Sequence, residues 1–522
     1  MAQFNKNTQG LLSSNKTLYE MNIPADQYGF PMGSHGMGHA TLYGAFGEMM
    51  TETLTPTFQL DALYGLDPRK FETYSALGGS VDTDGPYMVV NSGTSQFGYG
   101  VIRSRRAVRY RPGQGAVARF TAMFTAGTTG YTQRAGFFTQ EQALQVGYNG
   151  EQWGILRANG GKAAIYELEI TVAAASPDPQ DVTITLDGTP FVVSVDAGTI
   201  AENAKQIGEA TFTGWIAESG PTYVRFLKGS LGPTAGAFSV SSTGDLVGNV
   251  TQLQAGVAQV ENWIYQSDFN LDPLDGTGPS GVTLDPTKLN VFQIDFRWLG
   301  AGQIRFAIEN PINGDMIFFH HIHYGNQNTT VHLDNPSLKI GYVAYSTGGT
   351  GTNVSVTGAS MMGGIQGNIV FNDATNSAAV TRSGGMTSGG TTYHLLSVHN
   401  RLILNDKINS REIILAQISA GAVTSASTPV IVYIYFNQDI VGGHTHVSVD
   451  ETWSSAYTST DTTTITPTTA PVVTFILQPG STETIDLTPL RIVIPPNNHV
   501  TIGMKAGGTM SSADATLTWI ED

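Results

Sequence analysis

Three of the chain's 11 histidines, His320, His321 and His323, fall within four consecutive positions of the stretch FFHHIHYG. Imidazole is the commonest metal ligand and the side chain that titrates nearest neutral pH. Strand alternation puts His320 on the face of Phe318, Ile322 and Tyr324, with His321 and His323 on the other. Two ligands on one face fall short of the three or four that a zinc site needs. The stretch GGHTHVSV offers a second pair at the same spacing, His444 and His446. A symmetric trimer could gather such pairs around its axis into a shared site. The simpler expectation is ordinary strands and no metal, with His321, His323, His444 and His446 as the candidates if one is bound.

Acidic residues give two further candidates. SDFNLDPLDGTG spaces Asp268, Asn270 and Asp272 like a calcium loop, with Asp275 and Gly276 following. Pro273 and Pro279 stand where the EF-hand pattern wants Gly and Glu, so turn capping is the plainer account. Glu167 and Glu169 share one strand face, as a glycosidase pair would, but YELEITV lacks a third acid on the same strand. Asp295 and Glu309 lie near Arg297 and Arg305 on adjacent strands, which favours cross-strand ion pairs. No nucleophile elbow, phosphate loop or dinucleotide fingerprint occurs, and no catalytic residue is assigned. For glycan binding the best stretch is GYNGEQWG, with Tyr148 and Trp153, whose ordinary role would be packing at a turn. The basic island RSRRAVRYR reads as a strand with a basic edge; a phosphate-binding or subunit-docking patch is the other possibility.

The elements that must position these residues are mostly strands. Of 522 residues, 40% are hydrophobic and 13% charged, with 61 glycines and no cysteine. That mixture suits short strands joined by tight turns, without disulfides or thiolate metal sites. A net charge of −16 argues against broad nucleic-acid binding. No apolar run has signal-peptide or membrane-spanning length, so synthesis and folding in a cytoplasm without membrane insertion is expected.

VFQIDFRW, QIRFAIE and MIFFHHIHY form a meander with one apolar face. VTITLDGTPFVVSV predicts a hairpin around Asp187 and Gly188, and DAGTIAENAKQIGEA a helix with Ile200, Ala204 and Ile207 on one side. The predicted fold is all-β: a β-sandwich over 61–175 and 256–365, a small α+β domain inserted over 176–255 as β-β-α-β-β, and a second β-sandwich over 366–522. Residues 1–60 are expected to be a docking arm. The segment 371–392 is polar and turn-rich, with strands resuming at HLLSVHNRLIL.

Several long stretches resemble one class of proteins. AFGEMMTETLTPTFQLDALYGLDPRKFETY, IRSRRAVRYRPGQGAVARFTAMF and QRAGFFTQEQALQVGYNGEQWGILR are similar to the N-terminal half of tailed-bacteriophage virion proteins, with relatives in some large eukaryotic viruses. NWIYQSDFNLDPLDGTGPSGVTLDPTKLNVFQIDFRWLGAGQIRFAIENP resembles the continuation after an insertion, and ATLTWIED the close. The resemblance implies a lectin-like jelly roll in a structural protein of the particle, with no enzyme activity and no cofactor. It implies an exposed tail or fibre component, with a head-decoration protein or a glycan-binding adhesin as alternatives. Expected partners are other virion proteins, copies of itself in a trimer or higher ring, and a host surface glycan.

Overall fold

The computed structural model describes residues 54–176, 178–367, 375–387, 389–424 and 429–522. The chain divides into two compact units: 1–160 with 259–370, and 161–258 with 371–522. No helix among the described residues is long and apolar enough to cross a membrane.

The first unit is a jelly-roll-type sandwich of two antiparallel sheets. One sheet runs Met316–Ile322, Ile304–Glu309, Asn290–Phe296, Ala116–Phe124, Ser355–Gly358, Tyr87–Asn91, Ser80–Asp84, with Leu54–Asp61 and Ser360–Gln366 joined to it. The other runs Val260–Tyr265, Gln152–Asn159, Ala143–Asn149, Tyr131–Phe138, Lys339–Ser346, Tyr99–Ser104, Phe71–Ala76. Alternation drives the assembly. Phe292, Ile294 and Phe296 leave every second side chain of their strand for the core, where Phe120, Phe124 and Phe306 meet them. Opposing residues include Phe137, 5.5 Å from Phe296, and Tyr342, whose hydroxyl crosses the core to donate to the Thr121 carbonyl at 2.7 Å.

Two sequence expectations are corrected. Residues 54–60 are not arm: Leu54–Asp61 pairs with Ser360–Gln366, and Leu60 is buried against the core. The rest of the predicted arm, residues 1–53, lies outside the described residues. The jelly roll also loses AIYELEITV to the second unit, because Ala163–Val172 pairs with Tyr223–Leu231 and Val247–Gln254.

Within the second unit, residues 161–258 hold a four-stranded sheet, a three-stranded sheet and one helix around their own core of Leu168, Ile184, Ile207, Phe212 and Phe226. The helix Ile200–Gly208 starts on a capping box in which Thr199 and Glu202 bond each other's backbone N–H. Ala204 and Ile207 are its buried face. Asp187 and Gly188, both at positive φ, make the predicted hairpin turn. The strands expected in TYVRFL and GAFSVSS are Tyr223–Leu231 and Ser239–Ser242; Trp215–Ser219 and Val247–Gln254 are additional.

Residues 375–522 form the second sandwich. Thr375–Met386, Met510–Glu521, Ile413–Thr424 and Thr482–Asp486 make one sheet, with Val493–Ile494 beside it. Val447–Ser448, Ala456–Ser459, Thr392–Asn400, Asn498–Ala506, Val430–Phe436 and Val473–Leu477 make the other, with Thr464–Ile465 paired to Thr392–Asn400. Part of the polar segment 371–392 is thus an edge strand. An edge strand needs only one packed side, and Ala378 and Val380 supply it. Phe292 is fully buried between Phe120, Phe124 and Trp153. Phe292→Ala should therefore destabilise the first unit by about 3–5 kcal/mol, read as a lowered midpoint in urea unfolding. A loss below about 1 kcal/mol would contradict this packing.

Candidate functional site

The histidine run lies in Met316–Ile322 and beyond. Its pairing with Ile304–Glu309 slips at one point: Phe306 faces His320 while Ala307 faces Phe318, leaving Phe319 as the extra residue of a bulge. The bulge turns Phe319 into the core and moves Phe318 to the face of His321, 5.8 Å between rings. Simple alternation, which grouped Phe318 with His320, fails there; it holds for the histidines. His320 is buried and its Nδ1 accepts from the Asn270 backbone N–H at 3.2 Å. The Gln303 amide donates to Nδ1 of His321 at 2.9 Å and of His323 at 3.4 Å. No carboxylate joins this pair among the described residues, and the Arg305 cation beside it disfavours another positive charge. Burial pushes His320, His321 and His332 down to about 4.

The other sequence candidates resolve into structural roles. Trp153 is buried in the core, 4.9 Å from Phe124 and 5.1 Å from the half-buried Tyr148, so its ring offers no face to a ligand. Asp272 accepts backbone N–H groups of Leu274 and Ser280 at 2.9 and 2.8 Å, and Asp275 caps Thr277. Glu167 pairs with Arg225 at 2.8 Å, and Asp295 pairs with Arg305 directly across the strands. In the basic island, Arg103 lies 2.8 Å from Glu72, which also holds Lys339 at 2.7 Å. Burial alone would raise the Glu72 carboxyl; the two cations outweigh it and hold it low. Arg105 and Arg106 bond the carbonyls of Pro68 and Thr57.

The densest chemistry lies in the second unit, where His444 and His446 meet three other histidines. His399 and His499 sit directly opposite each other on Thr392–Asn400 and Asn498–Ala506, their rings stacked at 4.4 Å. Val398 and Val500 beside them point into the core, so the two imidazoles take the opposite face. The loop 437–446 folds over that face. Gly442 and Gly443, at φ of 84° and 72°, reverse it, and a Cβ on Gly443 would strike Glu209. The turn delivers His444 to 4.5 Å from His399 and 4.9 Å from His499, and His446 to 4.3 Å from His399. A cavity of about 200 Å³ opens here, lined by these four rings and Asp439. His394 belongs to the same face because a bulge at Leu395 shifts the strand's parity. Both its nitrogens are occupied, by the Asp461 carbonyl at 2.7 Å and Ser397 Oγ at 2.9 Å.

The insertion forms one wall. His446 Nδ1 lies 2.8 Å from the Ser219 carbonyl. The Tyr223 and Tyr457 hydroxyls are 2.7 Å apart, and Arg401 lies 4.2 Å over the Tyr457 ring while pairing with Glu451. Glu218 accepts the backbone N–H groups of Leu402 and Ile403. Burial raises its carboxyl to about 7 despite those bonds. Desolvation likewise lowers every histidine of the cluster, His444 to about 2 and His446 to about 4, so all are neutral at pH 7. The sequence exposed His444 and His446 as a pair; His399 and His499 became partners only through a register linking positions 100 residues apart.

These sheets define an all-β protein with a jelly-roll sandwich. No known protein family matches the sequence, and no curated protein matches it. Among solved structures, the Bacillus licheniformis β-glucanase is similar at 9% identity, covering 60% of this chain and 99% of its own, with a TM-score of 0.26. A β-1,3-glucanase from Mycobacterium marinum gives 9% identity, 59% and 98% coverage, and a TM-score of 0.25. The Griffonia simplicifolia lectin I-B4 gives 12%, 60%, 100% and 0.21. At these values the likeness carries no argument about activity.

Two outcomes follow from this geometry. Glu218→Ala strips two backbone N–H groups of their acceptor and should cost the second unit about 1–3 kcal/mol, measured by urea unfolding; an unchanged midpoint would show that those groups find other partners. The buried His320 and His332 titrate near 4 in the folded chain and near 6.5 unfolded. The unfolded state therefore binds more protons below 6.5, and stability falls as pH drops from about 6.5 towards 4, by up to a few kcal/mol. A flat unfolding profile across that range, in wild type against His332→Gln, would contradict it.

Proposed function

We propose that the chain is a non-catalytic structural component of a tailed-phage particle, in an exposed tail or fibre position, acting through assembly and surface contacts. The observation that carries this reading is what became of the candidate catalytic acids. Glu167 and Asp295 are held by arginines, and Asp272 and Asp275 cap turns. Such acids build rigid sheets and loops rather than a hydrolytic pair. The long stretches that resemble phage virion proteins support the same reading. On this account the protein resides in the virion after synthesis in the host cytoplasm, bound to other virion proteins and to copies of itself in a closed ring. Many copies would let weak single contacts add up.

A glycan-binding role is the second reading, and a specific surface favours it. On the face of the seven-stranded sheet turned away from the main core, Trp263 and Tyr265 stack at 6.4 Å with only 7° between their planes. Arg134 lies 5.1 Å over Tyr345 and pairs with Glu261 at 3.1 Å. Tyr74 and Tyr99, 45% and 36% exposed, continue the row. Aromatic faces with charged neighbours are what a sugar ring needs. The alternation Glu261, Trp263, Tyr265 in VENWIY was the sequence signal for this face.

Labelling purified particles with an antibody against this chain separates the alternatives. Label on the tail is the expected result; label on the head would make it a decoration protein, and absence of label would overturn the virion reading. A glycan array probed with the intact protein tests the second reading: binding lost in Trp263→Ala would support it, and a flat array would remove it.

A further inference from the structure

We propose that His444 and His499, with Asp439 at the rim and His399 or His446 completing the shell, bind one divalent transition-metal ion of the Zn²⁺ class within a single chain. The ligand atoms of Asp439, His444 and His499 already lie within 4.8 Å of one another. His399 is in ring contact with all three other histidines.

The independent observation is a set of buried nitrogens with nothing to bond. Both nitrogens of His444, and Nε2 of His399, His446 and His499, are shielded from solvent and have no hydrogen-bond partner. His444 is only 6% exposed. A buried polar atom without a partner costs free energy, and native structures rarely leave several together. His394, on the same face and fully bonded, shows how a purely structural histidine is satisfied in this fold. Four imidazoles crowded together carry lone pairs and no common donor. A cation takes one lone pair from each ring it binds, leaving the N–H on the other nitrogen of His444 still without an acceptor.

The surroundings suit a metal ligand set. The Ser219 carbonyl takes the Nδ1–H of His446, which leaves Nε2 as the lone-pair nitrogen. The backbone of Gln438 hydrogen-bonds His499 in the same supporting way. Asp439, 82% exposed and 3.7 Å from His499 Nε2, contributes a carboxylate that can close over the ion. Imidazoles with a single carboxylate and no thiolate select zinc, cobalt, nickel or ferrous iron over calcium and magnesium. The ion would join Thr392–Asn400, the loop 437–446 and Asn498–Ala506, and through Ser219 fasten the insertion behind His446. It would complete in one chain what a histidine pair alone could do only around a symmetry axis.

The test uses the whole 522-residue chain, stripped with chelator and dialysed. Titration with Zn²⁺ should show one ion per chain and a raised melting temperature that EDTA reverses. Co²⁺ should give the visible absorption bands of a tetrahedral nitrogen and oxygen site. His444→Ala and Asp439→Asn should each weaken binding by about tenfold or more. Asp439 is exposed, so its variant keeps the fold, as circular dichroism would verify. His321→Ala should bind as the wild type does. No stoichiometric zinc, undiminished affinity in both His444→Ala and Asp439→Asn, or loss of binding in His321→Ala would overturn the proposal.

Discussion

The period-two alternation of antiparallel strands, with one face buried, is the constraint on which this structure depends. Once Phe292, Ile294 and Phe296 enter the core, Gln293 and Asp295 have no choice of side. The same rule places the chemistry. Val398 and Val500 go inward, so His399 and His499 go outward and meet. Where the rule is broken, a bulge does it. One at Phe319 redirects Phe318, and one at Leu395 brings His394 onto the histidine face.

Much of the fold was legible for that reason. The meander, the Asp187–Gly188 hairpin and the helix over 200–208 all announce themselves through local periodicity or turn chemistry. Bulges do not, because an extra residue looks like any other until its partner strand is known. Edge strands are also hard to see: Thr375–Met386 shows a polar, glycine-containing sequence because one of its faces never needs to be apolar. The limits of the insertion were misplaced by about one strand, since YELEITV carries the same alternation whichever sheet it joins.

The candidate sites were legible to a different degree. Tyr148 and Trp153 carried the right residue types, but composition cannot tell a solvent-facing indole from one packed on Phe124. The pair His444 and His446 was visible; its meaning was not. That meaning comes from a two-glycine reversal, a cross-strand pair a hundred residues apart, and a wall supplied by Ser219 and Glu218. The insertion has a core of its own and also packs on the second sandwich through Leu227, Leu402 and Ile403. An insertion that completes a pocket is doing more than occupying a tolerant loop.

Diffraction from crystals grown with zinc, collected on either side of the zinc absorption edge, tests the central claim most directly: that strand parity and the folded loop assemble one ligand set inside each chain. The account predicts a single strong anomalous peak about 2.0–2.2 Å from nitrogens of His444 and His499, with His399 or His446 completing the shell. A peak only at the His321 and His323 pair, or none in the second unit, would contradict it.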